Sequence, residues 1–309
     1  GSAGAKGGVN TPETPEHAPD STSAGAAEWR QAFAAAVEWY HAQLDTEIPD
    51  HTASGEHPDR PTTARDYFTG VRGWGSSTLD EKRLGYAPAG GGLRDYLESE
   101  GFEPPAIRAT GLFTEDLRPL WRGRYVFPYF DADGEPVYAI ARVTGGRGGG
   151  AAGYDGHPED YLPGKYAKLA HTKEYVQASE PIYGTATLEH GEPVVITEGM
   201  ADAISAHAAG IPCLSPVTTK FKKAHHDPLR ALLAKYGVPR VYIIQDNDPP
   251  ATELADGEWW EALETRQVAP GIDGALRTAD YLESEGYEVR VAVPPSPAAE
   301  KVDFDDYLT

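Results

Sequence analysis

The sequence predicts an α/β chain in two parts, an α+β N-terminal subdomain over residues 25–190 and an α/β sheet with helices on both faces over residues 191–309. Three observations predict it. Apolar residues recur at helical spacing through the first third, two β-rich runs flank an Asp-Gly turn in the middle, and strand and helix patterns alternate after Gly191.

Residues 1–24 are Gly, Pro, Ser, Thr and acid, the composition of a disordered lead. Trp29, Phe33, Val37, Tyr40 and Leu44 then predict a helix from about Ala26 to Leu44, with shorter helices over Thr62–Val71, Thr78–Leu84 and Leu93–Glu100. Next, "GRYVFPYFDADGEPVYAIARVTG" reads as a hairpin of Tyr125–Phe130 and Val137–Val143, turning at Asp133 and Gly134. A glycine-rich loop follows and leads into "KYAKLA". Beyond Gly191 the strands are Val194–Thr197, Pro212–Leu214, Val241–Gln245 and Val289–Val293. Between them, Ala201–Ala209, Pro228–Tyr236 and Gly274–Glu285 read as helices, and such alternation makes the sheet parallel.

Composition excludes several classes. A chain of 309 residues with 40% apolar content has material for real cores. It has no run of eighteen apolar residues and no signal-peptide pattern, so a cytoplasmic location with no membrane contact is expected. The single Cys213 excludes a disulfide framework and Cys-rich zinc sites, so no zinc is expected in this chain. No G-x-x-x-x-G-K-[ST] occurs, which argues against a P-loop ATPase or helicase. Gly1 in place of methionine, with Met200 the sole methionine, leads us to expect a segment of a longer polypeptide.

Charge is unevenly spread. Lys and Arg number 27 against 48 Asp and Glu, a net charge of −21, and only ten of the basic residues are lysine. This acid-rich, lysine-poor composition resembles that of proteins from salt-loving archaea, so a halophilic archaeon, or its virus or plasmid, is the expected source. In molar salt the Debye length falls to roughly 3 Å, and only contact-range charge matters. Between Arg118 and Lys223 there are 11 basic and 12 acidic residues, against 16 and 36 elsewhere. The middle third is thus relieved of negative charge.

Two apolar strands end on acids. "VVIT" runs into Glu198, and "VYIIQ" runs into Asp246 and Asp248, whose i, i+2 spacing keeps both carboxylates on one side of an extended chain. In parallel sheets ligands sit beyond the carboxyl ends of strands. Carboxylates gathered there must take up protons or hold a cation, and oxygen donors alone point to Mg²⁺ or Mn²⁺. Asp303, Asp305 and Asp306 in "KVDFDDYL" could join that edge. Each acid alone has a plainer reading, as compensation of a helix dipole or as a turn; the coincidence of two strands favours the metal.

"VVITEGMADAISAHAAG" followed by "VYIIQDND" resembles the Toprim domain, and "KVDFDDYL" resembles the acidic motif found after it. Upstream, "WRGRYVFPYFDADGEPVYAIARVTG", "GKYAKL", "PIYGT" and "YFTGVRGWGSSTLDEKRLGYAP" are similar, in order, to segments of bacterial-type DNA primases. The resemblance spans about Ala64 to Leu308. It implies a Toprim-type sheet and a metal-dependent nucleotidyltransferase making short RNA primers from NTPs on a single-stranded DNA template. It implies Glu198, Asp246 and Asp248 at the catalytic metal centre, with Asp202 and Asp303 at the family's further acidic positions; Asp305, in the same C-terminal cluster, is a further candidate ligand. Arg122, Arg124, Arg142 and Lys165 would contact template or nucleotide phosphates, and Lys168, from the basic content of the same segment, is a candidate for the same role. Lys220, in "TTKFKKAHH", is a further candidate, and a solvated loop explains that run equally well.

The chain departs from the family's pattern at three places. Residues 249–271 form an insertion after Asp248, Lys168 stands where the family has asparagine, and a family lysine before "PIYGT" has no counterpart. The family's zinc-binding module is also missing. A replicative helicase or a fused flanking domain is therefore an expected partner. The alternatives are a Toprim-type nuclease, which shares the acids without needing the Arg-Phe-Pro hairpin, and a non-catalytic single-stranded DNA-binding module of a larger replication protein.

Overall fold

The computed structural model describes residues 21–49, 61–144, 166–217, 221–245, 270–292, 304 and 308. The first helix, α1 (Ser21–Ala42), begins inside the lead read from sequence as disordered, because a helix once nucleated by its apolar stripe extends through Ser and Ala at little cost. Trp29, Phe33, Val37, Tyr40 and Leu44 are all buried, as their spacing predicts. Helix α2 (Ala64–Asp66) opens on a reciprocal cap in which the Thr63 hydroxyl accepts from Asp66 N–H and the Asp66 carboxylate accepts from Thr63 N–H. It passes directly into a π-helical turn, Tyr67–Val71. Helices α3 (Ser76–Glu81), α4 (Leu93–Ser99) and α5 (Pro104–Ala109) complete the N-terminal layer.

These helices cover an antiparallel sheet of β1 (Gly85–Ala87), β2 (Arg124–Phe130), β3 (Pro136–Val143) and β4 (Tyr166–Lys168), in that spatial order. The β2–β3 pair is the predicted hairpin. Gly134 takes φ +82° at its turn, and the Asp131 carboxylate accepts the N–H groups of Asp133 and Glu135. Gly85 in β1 lies so close to α1 that a Cβ there would stand 2.6 Å from the Tyr40 carbonyl carbon. Glycine at 85 is thus the condition for packing α1 against the sheet.

The second sheet is parallel, in the order β6-β5-β7-β8, with β5 (Val194–Thr197), β6 (Cys213–Leu214), β7 (Arg240–Ile244) and β8 (Glu288–Ala292). Helices α6 (Met200–Ala208), α7 (Lys223–Tyr236) and α8 (Pro270–Ser284) connect the strands. Val194, Ile196, Val241 and Ile243 pack with Leu229 and Leu233 of α7 and with Ala275, Ala279 and Leu282 of α8. Val195, on the opposite face, packs with the cluster that holds Met200, Ala203 and Ile204 of α6. Both faces are covered, as the alternation predicts.

That second cluster also contains Phe33, Tyr40, Trp74 and Phe127. Helix α6 is therefore buried between the two sheets, and one core runs across residue 190. Among the described residues no helix is long and apolar enough to cross a membrane.

Candidate active site

Residue 198 owes its position to the strand-to-helix turn at the carboxyl edge of the parallel sheet. Strand β5 ends at Thr197, Glu198 follows half-buried, and Gly199 is the N-cap of α6. The buried Asp202 carboxylate, 6% exposed, accepts the Gly199 N–H at 3.2 Å. An acid at this third helical position satisfies a terminal donor and meets the positive end of the helix dipole. Asp202, read from sequence as a further metal ligand, thus holds the turn that carries Glu198.

Strand β7 runs parallel to β5 with Thr197 level with Ile244. Gln245 follows, buried, its N–H donating to the Ala292 carbonyl at 3.3 Å. Thr197 and Gln245 line a small cavity with Phe221 and Thr278. The register brings the chain entering Glu198 and the chain entering Asp246 to the same edge. Asp246, Asp248, Asp303, Asp305, Lys165 and Lys220 lie outside the described residues. Among the described residues no three carboxylate, imidazole or thiol groups gather as a metal site.

A cationic cluster stands on the antiparallel sheet. Arg142 of β3 is flanked by Tyr125 of β2 and Tyr166 of β4. Its guanidinium donates to the Tyr67 hydroxyl and lies 5.1 Å from the centre of that ring. Arg72 donates to the same hydroxyl at 2.9 Å and lies 5.7 Å from the ring. Tyr67 in turn stacks on Tyr125 with centroids 3.9 Å apart. Two guanidinium groups are thus fixed on one phenol backed by a second aromatic ring.

Arg72 was missing from the residues picked out by sequence. Five positions separate it from Tyr67, a separation that brings two side chains together on a π turn and not on an α-helix, and the π turn is not legible from apolar spacing.

Tyr166 lies opposite Arg142 on β4. Its phenol pKa is raised by burial first; Arg142 and Arg72 pull it down, while Tyr67 and Asp202 push it up. The Tyr166 residue as a whole is 37% exposed.

The other cations differ in setting. Arg124 is 1% exposed, on a strand paired on both sides, with Ala87 and Val143 opposite it. That burial makes the Arg124 side chain part of the β2 packing. Arg122 is half-buried beside Gly91. Lys168 of β4 forms an ion pair with Glu180 at 2.5 Å. Glu180 also receives Lys222 at 2.5 Å and lies 3.4 Å from the His171 ring. Burial works to raise the Glu180 pKa, but the two lysines outweigh it and bring the carboxyl down to about 2.

No family model matches the chain. It is 33% identical over 284 residues to a DNA primase of Geobacillus stearothermophilus, a match covering 90% of this chain and 38% of that protein. It is 26% identical over 237 residues to a DNA primase of Borreliella burgdorferi, covering 73% of this chain and 42% of that one. The chain thus spans well under half the length of these relatives. Among solved structures it resembles the RNA polymerase domain of a Mycobacterium tuberculosis primase, with TM-score 0.61 and 22% identity over 91% of this chain and 78% of that one. It also resembles a primase catalytic domain bound to single-stranded DNA, with TM-score 0.56 and 16% identity over 93% and 78% of the two chains. The chain is homologous to bacterial DNA primases over this span and has the fold of their catalytic core.

Proposed function

We propose that this chain is a primase catalytic core, a metal-dependent nucleotidyltransferase that makes short RNA primers from NTPs on single-stranded DNA. The observation that carries this reading is the pair of guanidinium groups, Arg72 and Arg142, held on the Tyr67 phenol beside Tyr166 of the antiparallel sheet. The sequence relatives named as primases, and the similar catalytic domain bound to single-stranded DNA, support it.

The donor set assigned to the edge from the sequence, Glu198 with Asp246 and Asp248, would be oxygen only and would suit Mg²⁺ or Mn²⁺. Asp303 and Asp305 would complete it, and Asp202 would support it through the Gly199 turn. When bound, such ions stabilise the attacking and leaving oxygens of nucleotidyl transfer. The chain's own part is to hold phosphates and orient bases. Arg72 and Arg142 offer planar donors that match phosphate oxygens, and Tyr166 offers an exposed ring to an unstacked base.

We read residues 25–190 as carrying template and residues 191–309 as carrying metal, around the shared α6. The acid-rich composition fits a salt-rich cytoplasm, and a helicase or fused domain would deliver template. Primer synthesis from labelled NTPs on single-stranded DNA, assayed across a KCl series, tests the reading. Cleavage without synthesis identifies a Toprim nuclease, and binding without either identifies a non-catalytic module.

A further inference from the structure

Glu180 lies on the segment that crosses from one sheet to the other. Three residues later Tyr183 pairs with Ser215, just beyond β6, through backbone hydrogen bonds of 2.8 and 3.1 Å. This crossing fixes Glu180 between β4, which supplies Lys168, and the N-cap of α7, which is Lys222. One carboxylate oxygen takes each ammonium. The Glu180 side chain is 8% exposed, whereas Lys168 is 30% and Lys222 48% exposed. The anion is enclosed and the cations face outward.

Two ammonium groups on one carboxylate leave a net positive charge, and each ammonium has three donors of which Glu180 takes one. Glu180 is the only carboxylate paired with either lysine among the described residues. The Lys222 end of the pair adjoins the carboxyl edge of the parallel sheet. Phe221, next to Lys222, borders the same cavity as Thr197 and Gln245, the residues immediately before Glu198 and Asp246.

We infer that Lys168 and Lys222, spaced by Glu180, form a phosphate-binding subsite beside the acidic edge, with Glu180 as its positioning residue. The inference rests on the primase reading and adds to it a contact specific to this chain. The ligand is one phosphate group, either of the template backbone or of a nucleotide's triphosphate tail. Lysine is a flexible point charge, and holding two of them on a shared anion meets the cost of ordering them before the ligand arrives.

The test uses the full chain and its Lys222→Gln and Glu180→Gln variants, with fluorescent oligothymidylate and ATP as probes over a KCl series. A template phosphate makes the Lys222→Gln salt dependence of log K shallower by about 0.7 for the oligonucleotide. A triphosphate contact instead weakens ATP several-fold and leaves that slope alone. Either outcome supports the subsite.

Glu180→Gln makes the patch more positive, so charge alone would tighten binding; loss of positioning weakens the same probe, which is the expected result. The subsite is overturned if folded Lys222→Gln binds both probes like the parent, and the positioning role if Glu180→Gln binds more tightly. A parent protein that binds neither probe removes the primase reading itself, and the subsite with it.

Discussion

The indole N–H of Trp74 donates a 2.8 Å hydrogen bond to the hydroxyl of Ser205, joining the N-terminal layer to α6 across 131 positions of sequence. Both side chains are 2% exposed. The helix whose N-terminus carries the candidate acids is therefore anchored at its middle by the other half of the molecule.

Trp74→Phe should accordingly destabilise the whole protein by about 1–3 kcal/mol, the cost of leaving a buried hydroxyl without its donor. Urea unfolding followed by fluorescence and by circular dichroism should give one coincident transition in parent and variant. Two separated transitions would show that the halves do not share a core.

Glu198→Gln and Asp246→Asn each remove a charge and keep the volume. Each is expected to lower primer synthesis by at least about 100-fold through loss of metal-dependent charge stabilisation. Melting temperatures should stay near that of the parent, because Glu198 is only half-buried. Mn²⁺ titration followed by electron paramagnetic resonance reads the metal directly. Near-normal synthesis by either folded variant would remove that residue from the centre.

Arg142 and Arg124 should separate binding from folding. Arg142→Ala is expected to weaken oligonucleotide or NTP binding while Mn²⁺ affinity holds. Arg124→Ala removes a fully buried side chain from β2 and should cost about 2 kcal/mol or more of stability. Paired thermal melts and binding isotherms check both, and the reverse pattern would overturn the assignment.

Acid should weaken the fold through His207. Burial drives its pKa from 6.5 down to about 4, with Lys82 adding to the effect, while the hydrogen bond to the Cys213 carbonyl opposes it. The unfolded chain then binds a proton that the folded chain refuses. Stability is complete above about pH 6.5 and falls as pH drops from there towards 4. Denaturant unfolding at steps through this window should show a steeper loss in the parent than in His207→Gln, which keeps a donor for the carbonyl. Equal slopes would mean that other groups control the acid limb.

Much of this was legible in the sequence, and what was not has a physical cause. The α1 stripe, the Asp-Gly hairpin and the strands ending at Glu198 and before Asp246 are local patterns, and each element is where its period places it, within a few residues. Strands β1 and β4 have three residues each and exist because β2 and β3 present open edges to them, which no local pattern encodes. The burial of Arg124 was invisible for a related reason. Alternation distinguishes inside from outside only when one face is wet, and six of the seven residues of β2 are buried. Arg72 and Glu180 act through partners set by a π turn and by a sheet-to-sheet crossing. Asp246, Asp248 and residues 249–269 of the insertion lie outside the described residues, so the candidate metal centre is legible here only through Glu198 and the strand register.

The chain's one sulfhydryl, on Cys213 in β6, is wholly enclosed, and burial pushes its pKa up to about 12. A reagent that attacks thiolates finds almost none in the native protein, and none that it can reach. Every alkylation event then records an opening of the central core, so that a single mass shift of the intact chain serves as a clock. Ligands that close the molecule should slow that clock without any label, dye or engineered residue.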